Sequence, residues 1–263
     1  MMIKFDFLKT IFIVLISISF NLSLSAQCNR MADSLELVKL YNSLDGPNWW
    51  NKTNWLVPGK NIDTWSGIKL NTNGCVTSIK LNDNNLKNDI YNFSFSEVTE
   101  ILLYRNQLSG VILNFDKLPN IEEIDFSSNK LTGTIPNFDK LPNLEKLSLA
   151  KNLFNDKVPN FDKLPNLVNL TLSFNQLTGI VPNFDKLPLL QQLILSDNKL
   201  TGRIPNFDKI QNLQYLSLWG NELTGAIPNF DKLPNLQSLR LMFNQFTGTI
   251  PNFDKLPNLI GLE

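Results

Sequence analysis

The chain contains no histidine and only two cysteines in 263 residues. Lacking histidine, it lacks the side chain that most often serves as general base, proton shuttle and metal ligand near neutral pH. Two cysteines cannot build a four-thiolate zinc site. Neither charge is in excess, since 24 Lys and Arg stand against 24 Asp and Glu. The chain therefore carries no electrostatic footprint for nucleic acid or for an anionic membrane. Its 12 glycines and 14 prolines are too few for low-complexity disorder. These absences argue against an enzyme and predict neither a cofactor nor a bound metal.

One apolar run is present, at the start. Lys4 and Lys9 precede Ile11 to Phe20, and Ser23-Leu-Ser-Ala26 follows. A basic region, a short apolar core and a small-residue end make a secretory leader over residues 1–26, with cleavage after Ala26. The core is shorter than the roughly 20 residues a membrane span needs. Gln27 before Cys28 argues against a lipid anchor at that cysteine. No comparable run follows, so the mature part is not membrane-embedded and is expected to be secreted or at the cell surface. Export permits disulfides. Cys28 and Cys75 are the one pair available, and a bond between them closes a loop of 47 residues. Such a loop is worth about 4 kcal/mol by chain entropy.

The rest is dominated by repetition. Phe-Asp-Lys begins at Phe115, Phe138, Phe161, Phe184, Phe207, Phe230 and Phe253, always 23 residues apart. Within each period runs Leu-x-x-Leu-x-Leu-x-x-Asn, as at Leu144, Leu147, Leu149, Asn152 and at Leu167, Leu170, Leu172, Asn175. The first unit starts at Val76; eight are full, and a ninth stops at Glu263. Periods of this length mean a solenoid.

This pattern resembles the leucine-rich repeat family over residues 76–263. The stretch after each Asn, such as Leu131-Thr-Gly-Thr-Ile-Pro136, is similar to the plant-type class of receptor-kinase ectodomains. The resemblance implies an α/β repeat solenoid, a horseshoe with a parallel concave sheet and an irregular or 3-10 convex side. The 23-residue period is one short of the usual 24 in that class, which tightens the convex side. The physics agrees with the resemblance. Leu-x-Leu sends both leucines to one face of a strand. One unit cannot bury them, but stacking does. The Asn residues are expected to form a ladder on buried backbone groups, and Phe138 with its equivalents a second apolar column. Gly133, Gly179, Gly202, Gly225 and Gly248 share a slot with Asn88 and Asp156, which reads as a left-handed backbone position. Asp-Lys in each period reads as a solvated convex face.

Residues 27–75 read as an amino-terminal cap. Asp33-Ser-Leu-Glu36 has capping-box spacing, Leu37, Leu40, Tyr41 and Leu44 are helical in period, and Asp45-Gly-Pro47 ends the run. Trp49, Trp50, Trp55 and Trp65 follow. The stretch resembles the caps of plant-type repeat proteins and of secreted bacterial ones. The tryptophans read first as a plug over the open strand edge, and second as a carbohydrate platform.

Recognition is expected on the concave sheet, where the positions flanking the inner leucines vary between near-identical units. Glu100, Glu123 and Asp125, with Tyr104 beside them, form an acidic group on adjacent strands. Tyr215, Trp219, Arg240 and Met242 form an aromatic and arginine group, joined by Phe174 and Phe243 at the strand ends. Trp, Tyr and Arg dominate binding hot spots. Two carboxylates on an open sheet lack the enclosed pocket and the pKa asymmetry that glycoside hydrolysis needs. Asn51-Lys-Thr, Asn92-Phe-Ser and Asn169-Leu-Thr are glycosylation sequons.

Three functions stay open at this level. The chain is a non-catalytic module binding a protein, peptide or glycan; or an adhesive spacer; or the sensor part of a longer receptor. Leu259 to Glu263 begins a strand without completing a unit, and no polar cap follows. The gene is therefore expected to continue, and the chain as it stands to fray after about residue 236 and to self-associate through that end.

Overall fold

A computed structural model describes residues 28–263. The expected leader and its cleavage site lie outside the described residues. Each period makes one turn of a solenoid, and the repeat segments supply nine strands of a single ten-stranded sheet. Its parallel members are Val76–Lys80, Glu100–Leu102, Glu123–Asp125, Lys146–Ser148, Asn169–Thr171, Gln192–Ile194, Tyr215–Ser217, Ser238–Arg240 and Gly261–Leu262. Register is one period per strand, with Leu147 beside Leu170, Leu193 and Leu216. Those leucines are buried while their neighbours look outward, as the period-two geometry requires.

The expected asparagine ladder is present. The Asn152 amide donates to the carbonyls of Phe126, Leu149 and Ala150 at 3.0, 3.1 and 3.2 Å, and its Oδ1 accepts from Leu131 N–H at 3.0 Å. Asn106, Asn129, Asn198 and Asn221 repeat the arrangement, each bonding its own turn and the turn before. A second ladder runs along the far side. Asn143, Asn166, Asn212, Asn235 and Asn258 each reach a carbonyl 24 residues back, such as Asn166 to Pro142 at 3.1 Å.

The phenylalanine column is also present. Phe115, Phe138, Phe161 and Phe184 are fully buried, and rings 115, 138 and 161 stack at 6.3 and 6.5 Å. These residues stand in the left-handed region at φ of 54–56°, a cost of about 1–2 kcal/mol each that burial of the ring, about 1.5–3 kcal/mol, offsets. A local clamp holds the turn. Asn183 donates to Asp185 Oδ2 at 3.0 Å, and Asp185 N–H returns to Asn183 Oδ1 at 3.3 Å. Asn160 with Asp162 and Asn206 with Asp208 repeat it.

The repeat pattern predicts one sheet, but further short parallel strands lie beyond the ladder. Thr178–Ile180, Lys199–Gly202, Glu222–Gly225 and Gln245–Phe246 form one set. Their glycines, with Gly133 and Asn88, are left-handed as expected. Asp156 departs from the expectation: it stays outside that region, and its Oδ1 accepts from Lys157 N–H at 2.8 Å. The convex side is a run of turns. Among the described residues the two 3-10 helices, Gly46–Asn48 and Ile62–Thr64, belong to the cap.

The cap helix α1 spans Arg30–Ser43. It starts earlier than the capping-box spacing at Asp33 suggests. Asn29 is the N-cap, its Oδ1 accepting from Met31 and Ala32 N–H at 3.0 and 3.3 Å. Asp33 is buried instead in the first turn and accepts from Val76 N–H at 2.8 Å, tying helix to first repeat strand. Cys28 and Cys75 form a disulfide, with Cα atoms 5.9 Å apart. Trp49, Trp55 and Trp65 are buried with Tyr41 in one aromatic cluster, as the plug reading expects, while Trp50 is exposed. Ile68–Leu70 pairs antiparallel with Val76–Lys80 and closes the sheet edge.

Candidate recognition surface on the concave sheet

The concave face is a grid. Strand neighbours set one axis, at about 4.8 Å per unit, and outward positions along each strand set the other. The structure sorts the sequence candidates differently at the two ends of this grid.

At the cap end, Glu100 and Glu123 are adjacent as expected. They do not form a free acidic patch. Glu100 accepts from Lys80 Nζ and Ser78 Oγ, both at 2.8 Å. Glu123 accepts from Lys146 Nζ at 3.0 Å. Burial pushes the Glu100 carboxyl up, but the Lys80 and Ser78 hydrogen bonds outweigh it and hold the group below the usual range. The Glu123 hydrogen bond and charge raise Lys146. Asp125 Oδ1 is taken by Ser127 N–H at 2.9 Å. The backbone carbonyl of Tyr104 accepts from Asp83 N–H at 2.9 Å. Lys80 and Lys146, each on the strand next to the acid it bonds, thus neutralise the pair, which the count of acids alone hides.

At the other end the structure splits the aromatic group. Tyr215 and Trp219 sit four residues apart on one strand path, roughly 13 Å at strand rise. Tyr215 Oη donates to Gln237 Oε1 at 3.0 Å. Trp219 packs instead on Phe243, edge to face at 5.5 Å. Met242 is exposed beside it. Phe174, Trp219 and Arg240 come together around an open hollow of about 360 Å³, lined also by Ser196, Ser217, Asp197 and Glu263. Arg240 pairs with Glu263 at 3.3 Å, and Lys151 holds its ammonium 5.5 Å from the Phe174 ring centre.

Asp197 is the residue that sequence reading missed. It precedes a ladder asparagine, where the chain turns left-handed in every unit: Arg105, Ser128, Lys151, Phe174, Asp197 and Phe243 all have φ between 52° and 57°. Gly220 fills the same slot in one unit. A Cβ there would lie 3.0 Å from Asp197 Oδ1, so the glycine leaves room beside that carboxylate. Among the described residues Asp197 Oδ2 is buried without a hydrogen-bond donor, and burial raises its carboxyl above the usual range. The available signal was Gly220, the one glycine in a row that otherwise carries side chains.

Stacked parallel strands with an invariant interior and a variable outward grid define a class of protein, the repeat-built scaffold that presents an open curved surface. Leucine-rich repeat models match residues 119–164, 188–232 and 211–255 as paired repeats and 166–187 as a single repeat. The chain belongs to the leucine-rich repeat family. Among solved structures, the PEPR1–AtPEP1 complex aligns with a TM-score of 0.80 at 26% identity, over 88% of this chain and 34% of that one. The Arabidopsis receptor kinase HAESA, in complex with the peptide hormone IDA and the co-receptor SERK1, aligns with a TM-score of 0.61 at 35% identity, over 67% and 31%. Listeria monocytogenes InlP aligns with a TM-score of 0.53 at 32% identity, over 60% and 46%. The chain spans about a third of the length of the first two. The comparison with curated proteins returns no match. Among the described residues no helix is long and apolar enough to cross a membrane.

Proposed function

We propose that this is an exported, non-catalytic recognition module that binds a peptide or protein segment along its concave sheet, with the Trp219 end as the main contact. The observation that carries the reading is the open hollow lined by Phe174, Asp197, Trp219 and Arg240. Scaffold positions repeat almost unchanged, so packing does not dictate these side chains. They are half-buried or exposed, aromatic or charged, and fixed on a rigid sheet, which limits the entropy lost on binding. The likeness to HAESA, captured with a peptide hormone, supports a peptide or protein ligand over a glycan. Glu100 and Glu123 are each paired with a lysine, which supports binding over chemistry.

A random peptide library displayed on phage and selected on the purified chain tests this. The expected result is enrichment of sequences whose binding is lost on Trp219→Ala and kept on Lys163→Ala, a substitution on the convex side. Enriched sequences insensitive to Trp219→Ala, or no enrichment at all, would sink it.

A further inference from the structure

We propose that the hollow beside Trp219 is a cation subsite, taking an ammonium or guanidinium group of the bound peptide. The inference rests on the recognition reading above and names the chemistry of its anchor.

Asp197 carries the argument. Other carboxylates on this face have a partner: Glu100 has Lys80 and Ser78, Glu123 has Lys146, and Asp125 has Ser127 N–H. Asp197 has none among the described residues, and one of its oxygens is out of reach of water. An ionised carboxylate with one oxygen withdrawn from water and no donor is costly, and a cation at its accessible Oδ1 would offset that cost. Arg240, which lines the same hollow, is paired with Glu263 instead. Two carboxylates and one guanidinium line the hollow, so it stays net negative.

The rest of the lining suits the same guest. Trp219 and Phe174 present aromatic surface, and ring faces attract cations by their quadrupole. Lys151 already rests over Phe174, which shows that this ring accepts an ammonium. Gly220 adds access: any side chain there would crowd Asp197 Oδ1. Nothing in the core requires glycine at this slot, since seven neighbouring units fill it with other residues in the same left-handed conformation. An aromatic wall beside an unpaired carboxylate, with its approach kept clear, is the arrangement that holds a lysine, an arginine or a free amino terminus.

The test uses the full chain labelled with 5-fluorotryptophan, in which the Trp219 fluorine signal is assigned by its loss in Trp219→Phe. The probes are Ac-Gly-Lys-Gly-NH2, Ac-Gly-Arg-Gly-NH2, Ac-Gly-Gln-Gly-NH2, Ac-Gly-Glu-Gly-NH2 and Gly-Gly-Gly-NH2 with a free amino terminus. At least one cationic probe should shift the Trp219 signal saturably, with a Kd at least fivefold below that of the glutamine probe. The lysine, arginine and free-amine arms show which source of charge is preferred. Asp197→Asn keeps a residue suited to left-handed backbone, so it should fold and should bring the cationic probes within twofold of glutamine. Gly220→Ala should weaken them as well. Equal binding of the glutamine probe, no effect of Asp197→Asn, or no shift from any cationic probe overturns the subsite. Selective binding of the glutamate probe overturns it too, while leaving concave recognition standing. Silence from every probe ends the subsite, and the display selection then judges the recognition reading separately.

Discussion

Trp219 meets Phe243 edge to face, with ring centres 5.5 Å apart and planes crossing at 89°. Phe243 belongs to the next unit and is 67% exposed, so the pair is an inter-unit contact at the surface, outside the core. Each ring limits the freedom of the other without being needed for folding. Trp219→Ala should therefore weaken a selected peptide by about 2 kcal/mol while leaving the melting transition nearly in place. Tyr215→Ala should change that affinity less than threefold, because Tyr215 is bound to Gln237 away from the hollow. Isothermal titration of both variants checks the contrast. An equal loss from both would restore the single aromatic patch that the sequence suggests.

Much of this architecture was legible because a solenoid repeats its own physics. Leu147, Leu170 and Leu193 stack because the same pattern recurs every 23 residues, and the asparagine ladder and buried phenylalanines follow with it. What escaped notice depends on relations across units. Glu100 and Glu123 look like a free acidic pair until Lys80 and Lys146 are placed one strand away on either side. Asp33 has the spacing of a helix cap, but Asn29 takes that role and frees Asp33 to bond Val76, 43 residues on. Phenylalanine at positive φ defies residue preference, and burial of the ring is what offsets it at Phe115, Phe138, Phe161 and Phe184. Asp197 carries no motif at all. Its importance comes from a missing donor and a missing side chain at Gly220.

The second asparagine ladder has a gap. Asn143, Asn166, Asn212, Asn235 and Asn258 each bond a carbonyl 24 residues back, but position 189 is leucine, 44% exposed. Leu189→Asn would place a donor where the pattern puts the Pro165 carbonyl. The gain should be about 0.5–1.5 kcal/mol, seen as a rise in Tm of about 1–6 °C. A fall in Tm would show that Leu189 contributes more by packing than the hydrogen bond returns.

The cap is held by Cys28–Cys75, by the Asp33 bond to Val76 and by the buried tryptophans. Opening the disulfide frees a loop of 47 residues, which costs about 4 kcal/mol in the chain-entropy account. Cys28→Ser with Cys75→Ser should lower stability on that scale. Hydrogen exchange should quicken first in α1, while the repeats from Glu123 onward stay protected. Two alkylatable thiols in the native protein, or unchanged protection in α1, would remove the disulfide from the account of cap stability.

Acid should act on Glu100 and Asp197 in opposite senses. Hydrogen bonds from Lys80 and Ser78 outweigh burial and lower the Glu100 carboxyl. The folded state therefore binds that proton less tightly than the unfolded chain, and the stabilisation is present above the ordinary glutamate range, near 4.3, and lost as pH falls through the folded value. Glu100→Gln should lower Tm at pH 7, and the deficit should shrink below about pH 4. Burial raises the Asp197 carboxyl. There the folded state binds the proton more tightly, so its ionised form is a liability that grows as pH rises through the folded value. Asp197→Asn should raise Tm at pH 7, and that advantage should fade as the solution is acidified through the carboxylate range. Thermal melts of the parent and both variants from pH 3 to 8 check the two slopes together. An Asp197→Asn variant less stable than the parent at pH 7 would mean that the carboxylate already has a partner, and that the hollow offers a ligand less than its geometry implies.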